Sequence, residues 1–391
     1  MNETGDNITE LNDLGNEYDR ELNLFLQEIG FSKDIGAKET YLINSETVKK
    51  GYDFIDIPLI TETAEKIDNK EFAGKFFSEK GYEVLEPKSV INRGGSTLFT
   101  TSGVQVLDGV IFQEEEPISD EIFVQQPVIR TQYIDSVDEG VSTSFINMSL
   151  EKVNPSIRDH FDSLRDTLDF FEQIGISRTD INFKLDSDKP TWGSKQFSNR
   201  IVRIFVGDLE IGDAVYMYDI EQNSRQSLTI SDIGLGLERV RWVLEGGGYF
   251  GKEEKGEINP RLVDYSRTLA LMVASGLKPS NKEQGYRVRL FSKRLMRENI
   301  KHNKDINSLI EDGYDYWKNW TDLELSKEET MSIIERENER NLNAELLSIL
   351  KNDYRDVNID INQTKEQVLK ALRGTSVDSD HLDKLIKKIY G

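Results

Sequence analysis

The stretch Ser227–Gly247, SLTISDIGLGLERVRWVLEGG, predicts a short strand, a glycine-flanked turn and then a helix. Gly234 and Gly236 have no side chains, so the main chain can approach a ligand closely there. Arg239 follows at the start of the predicted helix, where a guanidinium can hold a phosphate through two parallel hydrogen bonds. The six residues Gly234–Arg239 (GLGLER, pattern GxGxxR) are a candidate phosphate site. Glycines beside one solvated arginine are, however, also common in ordinary turns.

The segment before it, Glu210–Tyr218 (EIGDAVYMY), predicts another strand, with two acids among its apolar residues. Carboxylates in a buried strand are costly unless cations pair with them. Glu210 and Asp213 therefore indicate a site, and an edge strand with one wet face is the alternative explanation.

Two earlier segments, Phe123–Thr131 and Ser142–Leu150, predict a hairpin with a long polar connection. Arg130 ends its first strand and Phe145 lies on its second. Such a pair suits a nucleotide, with the arginine on phosphate and the ring on the base. An ordinary cross-strand pair is the alternative.

Composition excludes several classes of function. The chain has 391 residues and no cysteine, and its three histidines have no metal-ligand spacing, so we expect no disulfide and no zinc. Its net charge of −22 makes it a poor general binder of nucleic acid, and we expect no DNA partner. It has no apolar run of about 18 residues and no signal-like start. We therefore expect a cytoplasmic protein with no membrane partner.

The segment Gly285–Lys304 is basic against this acidic background, with seven basic residues and one acid. Arg289, Arg294 and Arg297 on this predicted helix could face a polyanion. The alternative is a solvated face on a helix whose apolar side packs inward. From about residue 258 onward the pattern is mostly helical.

In this order, the hairpin and the GxGxxR segment resemble motifs 2 and 3 of the class II aminoacyl-tRNA synthetases. DIGLGLERVRWVLEG (232–246) resembles the alanyl-type pattern D-T-G-M-G-L-E-R. STLFTTSGVQVLDG (96–109) and KPSNKEQGYRVRLFSKRL (278–295) resemble further segments of that family. The resemblance spans roughly 65–391, which corresponds to the aminoacylation portion of a diverged alanyl-tRNA synthetase-like protein.

The resemblance implies an α+β fold, with an antiparallel sheet flanked by helices and followed by an all-helical domain. We accordingly expect an N-terminal extension at 1–64, a catalytic adenylation domain at 65–257 and a helical, tRNA-binding-like domain at 258–391.

It also implies activation of an amino acid with ATP and Mg²⁺, through an aminoacyl adenylate, and transfer to tRNA. Carried over one by one, the ATP-binding residues are Arg130 (α-phosphate and substrate carboxylate), Phe145 (adenine), Arg239 (γ-phosphate) and Glu210 (Mg²⁺). Arg130 and Arg239 are the catalytic pair. The amino-acid site consists of Asp232 for the ammonium, with Asp213, Gly234 and a pocket-wall tryptophan, Trp192. Arg289, Arg294 and Arg297 are the candidate tRNA contacts.

One departure from the family lies beside the ammonium site, where its E-I-W-N reads Glu210-Ile211-Gly212-Asp213. Asp213 adds a negative charge and Gly212 removes bulk, so the substrate could differ from alanine. Three functions follow: a tRNA ligase of alanyl type; an amino-acid ligase whose acceptor is a small molecule, peptide or carrier protein; and a non-catalytic regulatory paralogue. The amino acid, the acceptor, the oligomeric state and the role of residues 1–64 stay open.

Overall fold

The computed structural model describes residues 6–33, 40–42, 67–92, 97–137, 141–187, 191–192, 195–207, 209–220, 227–245, 259–353 and 357–390. The chain forms two compact units. The first consists of Met1–Lys88, Gly94–Val128 and Phe145–Lys252, and the second of Ser89–Arg93, Ile129–Ser144 and Glu253–Gly391. The domain boundaries expected at residues 64 and 257 stay a prediction.

A nine-stranded sheet, counted over the described residues, is the frame of the first unit. Its strands are β1 (Ser32–Lys33), β2 (Thr40–Leu42), β3 (Glu83–Leu85), β4 (Glu121–Ile129), β5 (Ser144–Val153), β6 (Ile181–Asp186), β9 (Ser198–Val206), β10 (Leu209–Ile220) and β11 (Leu228–Gly236). β7 (Thr191–Trp192) and β8 (Lys195–Gln196) pair separately. The order across the sheet is β1-β2-β6-β9-β10-β11-β5-β4-β3. The described pairings are antiparallel except for β3 with β4, which is parallel.

The first unit has five described helices: α1 (Asp6–Glu28), α2 (Lys70–Glu79), α3 (Asp108–Gln113), α4 (Ile157–Gln173) and α5 (Leu237–Leu244). α4 begins at a capping box, in which Ser156 and Asp159 each accept the other's main-chain N–H. Its apolar residues recur at helical spacing, and Leu164 and Leu168 are fully buried. The amphipathic helix predicted from this spacing is confirmed.

α1 packs against α4 within the first unit. Phe25 stacks on Phe161 with ring centroids 5.1 Å apart. Tyr18 is buried, and its hydroxyl lies 3.1 Å from His160 Nε2, while His160 Nδ1 lies 2.6 Å from the Ser231 hydroxyl. This chain of hydrogen bonds connects α1 through α4 to β11, so a helix from the predicted N-terminal extension takes part in the core.

β11 differs from its prediction. The sequence pattern predicts a turn at the two glycines, but the strand runs unbroken from Leu228 to Gly236 and passes directly into α5. Gly236 is the residue before the helix, with extended backbone at φ −81°. The predicted turn is therefore wrong, because both glycines continue the ladder: Gly234 pairs with Asp213 on β10 and Gly236 with Asn147 on β5.

The second unit is helical over most of its described length, with α6 (Pro260–Ala274), α7 (Glu283–His302), α8 (Ile306–Lys318), α9 (Lys327–Asp353), α10 (Lys365–Leu372) and α11 (Ser379–Tyr390). α6 begins with Pro260 after an Asn259 cap, a favourable start because proline lacks an N–H that the first turn would leave unbonded. Trp317 of α8 is fully buried and donates its ring N–H to the Arg267 oxygen, 2.8 Å away.

The α+β fold class predicted from the sequence is confirmed: a largely antiparallel sheet with flanking helices, followed by a helical region. Within the described ranges, no helix combines the length and apolar character needed to cross a bilayer.

Candidate active site

One face of the central strands carries a group of acids. Directly opposite residues of antiparallel strands share a face, and so do residues two apart on one strand. The first cross-strand row contains Arg203, Asp213, Gly234 and Ser149. The next row contains Ile201, Val215, Asp232 and Glu151. The sheet therefore brings Asp213, Gly234 and Asp232, which the sequence predicts as one site, onto a common face.

Farther along the strands the same face becomes apolar. Val153, Ile230 and Val215 are buried there with Val104 and Leu107 from the segment before α3. The acids therefore lie at the margin of a dry core, where a charge interacts strongly with its neighbours because little water screens it.

Asp232 and Glu151 are directly opposite each other on β11 and β5. Asp232 is 6% exposed and Glu151 is fully buried. The Ser149 hydroxyl lies between them, 2.6 Å from Glu151 Oε1 and 3.2 Å from Asp232 Oδ1. Burial, and next the neighbouring Asp232 carboxylate, raise the pKa of Glu151 well above its usual value.

Gly234 lies beside the side chains of Asn147 and Asp213. A Cβ atom at this position would lie 3.0 Å from Asn147 Nδ2 and 3.5 Å from Asp213 Oδ1. A larger residue here would therefore crowd the Asn147 amide. Gly212 has a different reason: a Cβ there would collide with the main-chain oxygen of Gly234. Close strand packing therefore requires Gly212.

Arg239 is the third residue of α5 and is half-buried. Its Nη1 donates a hydrogen bond to the main-chain oxygen of Glu210, 2.6 Å away. The Glu210 side chain turns to Arg203, with 3.1 Å between Oε1 and Nη1, and Arg203 also pairs with Asp186 at 3.1 Å. Arg239, predicted to bind phosphate, is therefore hydrogen-bonded to the main chain of Glu210, the residue predicted to bind Mg²⁺.

The single carboxylate of Glu210 would fit a Mg²⁺ ion held mainly by phosphate oxygens and water, and would not fit one held by protein side chains alone. Among the described residues, no three histidine, aspartate or glutamate side chains group as a metal site. Mg²⁺ in nucleotide sites usually takes one or two carboxylates and completes its shell with phosphate oxygens and water. The half-buried Glu210 carboxylate could supply one such ligand.

Phe145 is the second residue of β5 and is half-buried. The following N–H, of Ile146, donates to the Glu238 carboxylate of α5 at 3.0 Å. Arg130 belongs to the second unit, where its N–H donates to the Thr143 oxygen at 2.7 Å. The Trp192 side chain lies outside the described part of the chain, although its backbone forms β7.

Three polar residues of β5 were not predicted as site residues: Asn147, Ser149 and Glu151. All three are buried on the acidic face. Asn147 Oδ1 accepts the Gly103 N–H at 2.7 Å and so anchors the segment before α3 to the strand. The signal was present in FINMSLEKV, where polar residues alternate with Met148 and Leu150 at the period of a strand.

The three arginines predicted to contact tRNA lie on α7 in the second unit, and each has an acidic neighbour. The nitrogen–oxygen distances are 3.0 Å for Arg294 with Asp135, 3.8 Å for Arg297 with Glu345 and 3.6 Å for Arg289 with Glu337. Arg294 and Arg297 also line a cavity of about 630 Å³ with Arg261, Lys301, Lys388, Glu298 and Glu345. The helix is thus locally basic but partly neutralised.

Comparison with known proteins shows that the chain is similar to several alanine–tRNA ligases. The chain is 24% identical over 352 residues to the alanine–tRNA ligase of Ignicoccus hospitalis, covering 68% of this chain and 38% of that enzyme. It is 23% identical over 422 residues to that of Saccharolobus islandicus (86% and 46%) and 24% over 407 residues to that of Sulfurisphaera tokodaii (84% and 44%). The chain spans less than half the length of these relatives. No family model matches it.

Two solved structures have partial likeness. One is a pyrrolysyl tRNA synthetase of Desulfitobacterium hafniense, with TM-score 0.31 and 16% identity, covering 49% of this chain and 68% of that chain. The other is the Entamoeba histolytica asparaginyl-tRNA synthetase, with TM-score 0.30 and 12% identity, covering 52% and 65%.

Proposed function

Since the chain is a diverged, alanyl-tRNA synthetase-like protein of class II, we propose that it joins an amino acid to ATP as an aminoacyl adenylate and transfers the aminoacyl group to tRNA. One observation carries the proposal: Asp213, Gly234 and Asp232 share a face of β10 and β11, and β11 leads without a break to Arg239. Acids beside an arginine suit a substrate with an ammonium group and a phosphate.

In this proposal the amino-acid ammonium binds the Asp232 carboxylate. Asp232 is almost completely buried beside a dry core, so its attraction for a cation is little weakened by water. Gly234 would let the main chain approach the α-carbon, and Asp213, next to Gly234, would contribute a second charge. Trp192 would form a wall of the pocket, as the resemblance implies.

For ATP, we assign the γ-phosphate to Arg239 and the α-phosphate and substrate carboxylate to Arg130. Phe145 would stack on adenine. Glu210 would hold Mg²⁺, which when bound neutralises charge on the phosphates.

The chemistry is a displacement at phosphorus. A carboxylate oxygen of the amino acid attacks the α-phosphorus, the bond to the β-phosphate oxygen breaks, and pyrophosphate leaves. The protein's part is to hold the attacking oxygen in line and to stabilise charge on the phosphate oxygens. Arg130 and Arg239 are the catalytic residues because they would touch these oxygens. ATP, amino acids and tRNA meet in the cytoplasm, where we expect the protein to act.

The arginines of α7 support a second function, in which the acceptor of the amino acid is not tRNA. Arg289, Arg294 and Arg297 each lie beside an acid, and the chain has a net charge of −22. Paired arginines release fewer counterions from a nucleic acid than solvated ones, which weakens binding. This favours an acceptor other than tRNA: a small molecule, a peptide or a carrier protein.

Pyrophosphate exchange with a panel of amino acids, followed by charging of total tRNA, tests these functions. Exchange and charging together are the expected result. Exchange without charging would reject tRNA in favour of the second function. Absence of exchange with every amino acid would reject both, and would leave a non-catalytic paralogue.

A further inference from the structure

Glu151 is a fully buried acid on an interior strand of the sheet, and it has no role in the mechanism proposed for Asp232, Arg130 and Arg239. It lies on β5 directly opposite Asp232 and shares the face of Asp213. Burying a third ionised carboxylate beside two others is strongly unfavourable, and Arg203, which lies opposite Asp213, already pairs with Glu210 and Asp186. One of the three is therefore expected to hold a proton.

The second oxygen of Glu151 identifies which one. The Ser149 hydroxyl donates its single proton to Glu151 Oε1, at 2.6 Å against 3.2 Å for Asp232 Oδ1, and this bond by itself lowers the pKa of Glu151. Glu151 Oε2 is buried, and no N–H or O–H donor of the described residues reaches it. An ionised oxygen left in this way loses its hydration without compensation. A protonated Oε2 becomes a donor instead.

The electrostatics agree with this geometry. Burial, and then the Asp232 carboxylate, raise the pKa of Glu151, which favours its neutral form. Asp232 retains a small exposed fraction, whereas Glu151 has none. The residue that can reach a substrate is thus the one that keeps its charge.

We propose that Glu151 is a positioning residue that holds a proton and donates it in a hydrogen bond from Oε2 to the Asp232 carboxylate. Ser149 donates to Glu151, and Glu151 donates to Asp232. The Asp232–Glu151 pair then carries one negative charge, which one substrate ammonium neutralises. This inference rests on the proposed function for the role of Asp232, but the location of the proton does not depend on it.

The location of the proton is tested by infrared difference spectroscopy at neutral pH, comparing the full-length protein with Glu151→Gln. The expected result is a carbonyl band of a protonated carboxyl group that is present in the wild type and absent from the variant. A loss of ionised carboxylate bands instead would overturn the proposal. This measurement needs no substrate, so it decides the question even if no amino acid is activated.

The positioning role is tested by pyrophosphate exchange with the amino acid that the wild type accepts. The amide of Glu151→Gln can accept from Ser149 and donate to Asp232, so this variant should keep the amino-acid KM within about threefold of wild type. Glu151→Met removes the donor and should raise that KM about tenfold or more, with a smaller effect on kcat. An equal rise in the amino-acid KM of both variants would overturn the positioning role of Glu151 but not the proposed function. A wild type inactive with every amino acid would instead reject the proposed function.

Discussion

Arg239 is hydrogen-bonded to Glu210 through the main chain: its Nη1 lies 2.6 Å from the Glu210 oxygen. The bond ties the first turn of α5 to the start of β10. Because it uses a main-chain acceptor, no substitution of the Glu210 side chain removes it. The Glu210 carboxylate is held separately by Arg203, at 3.1 Å. The arginine and the acid can therefore be changed one at a time.

We predict that Arg239→Ala lowers kcat/KM for ATP in pyrophosphate exchange by about 10²-fold or more, because a preorganised charge at the phosphates is lost. Arg239→Lys should recover only a small part, since an ammonium cannot make the paired guanidinium contact. Arg241→Ala is the matched control: Arg241 lies on the same helix, paired with Asp68 and Glu245. Equal losses in the two alanine variants would contradict a phosphate role for Arg239.

Asp232→Asn should raise the amino-acid KM by about 10²-fold while the ATP KM changes little, because the charge-assisted bond to the ammonium is lost. The measurement is exchange with each substrate varied in turn. Asp166→Asn, which changes an acid paired with Lys80 elsewhere in the same unit, should leave both constants near wild type. If the ATP KM rises as much as the amino-acid KM, Asp232 does not act on the ammonium.

Asp213→Asn restores the residue of the alanyl-type pattern. The Asp213 carboxylate lies next to Gly234 and on the same face as Asp232, so removing its charge should change which amino acids are accepted. We expect alanine to gain relative to the amino acid that the wild type prefers. The ratio of the two kcat/KM values is the measurement, and an unchanged ratio, or a wild type specific for alanine, would exclude the altered pocket.

Reversing two charges on α7, as Arg294→Glu with Arg297→Glu, should weaken tRNA binding. The slope of log K against log salt should also fall by up to about 2, since each lost phosphate contact contributes about 0.9. Binding is measured by filter retention at several salt concentrations. Lys351→Glu with Lys384→Glu, two exposed changes on α9 and α11, is the control because it alters the net charge by the same amount. Unchanged affinity and slope would remove α7 from the tRNA interface.

His160 should make stability depend on pH. Burial, and then the Lys152 charge, lower its pKa to about 3 in the folded protein, against 6.5 for an unperturbed imidazole. The unfolded chain therefore binds the proton more readily between these values. The contribution of neutral, buried His160 to the free energy of unfolding is therefore complete above about pH 6.5. It is lost as the pH falls towards 3, by up to about 1.4 kcal/mol per pH unit.

Urea unfolding at several pH values between 6.5 and 4 measures this dependence. His160→Gln should lower stability at neutral pH, since the Tyr18 and Ser231 hydroxyls lose their partner, and should flatten the slope relative to wild type. Parallel curves for wild type and His160→Gln would show that the imidazole titrates normally.

Much of the fold could be predicted because its signals are local. The spacing of Phe161, Leu164 and Leu168 marks the buried side of α4, and the run of apolar residues in 209–220 marks β10. The turn predicted at Gly234 and Gly236 was wrong for a physical reason. Glycine permits a turn without requiring one, and hydrogen bonds from β10 and β5 on both sides extend the strand instead.

The candidate site was predictable in part. Asp213, Asp232 and Arg239 could be named from ordered motifs, whereas Glu151 could not, because its importance comes from the residue opposite it. Register depends on pairing between strands about 80 residues apart in sequence, as for Ser149 and Asp232. The ion pairs of the α7 arginines could not be predicted either. Asp135 and Glu345 are distant in sequence from Arg294 and Arg297, with which they pair.

The amino-acid sequence by itself determined the helices and strands, the net charge and the order of the motifs, because each of these is written in neighbouring residues. Only the tertiary structure decided that β11 continues through its glycines, that α1 is part of the core, and that Glu151 lies against Asp232. These depend on which distant segments share a sheet and on how much water is excluded between them. The pKa of a buried carboxylate depends on that environment, and no local sequence pattern specifies it.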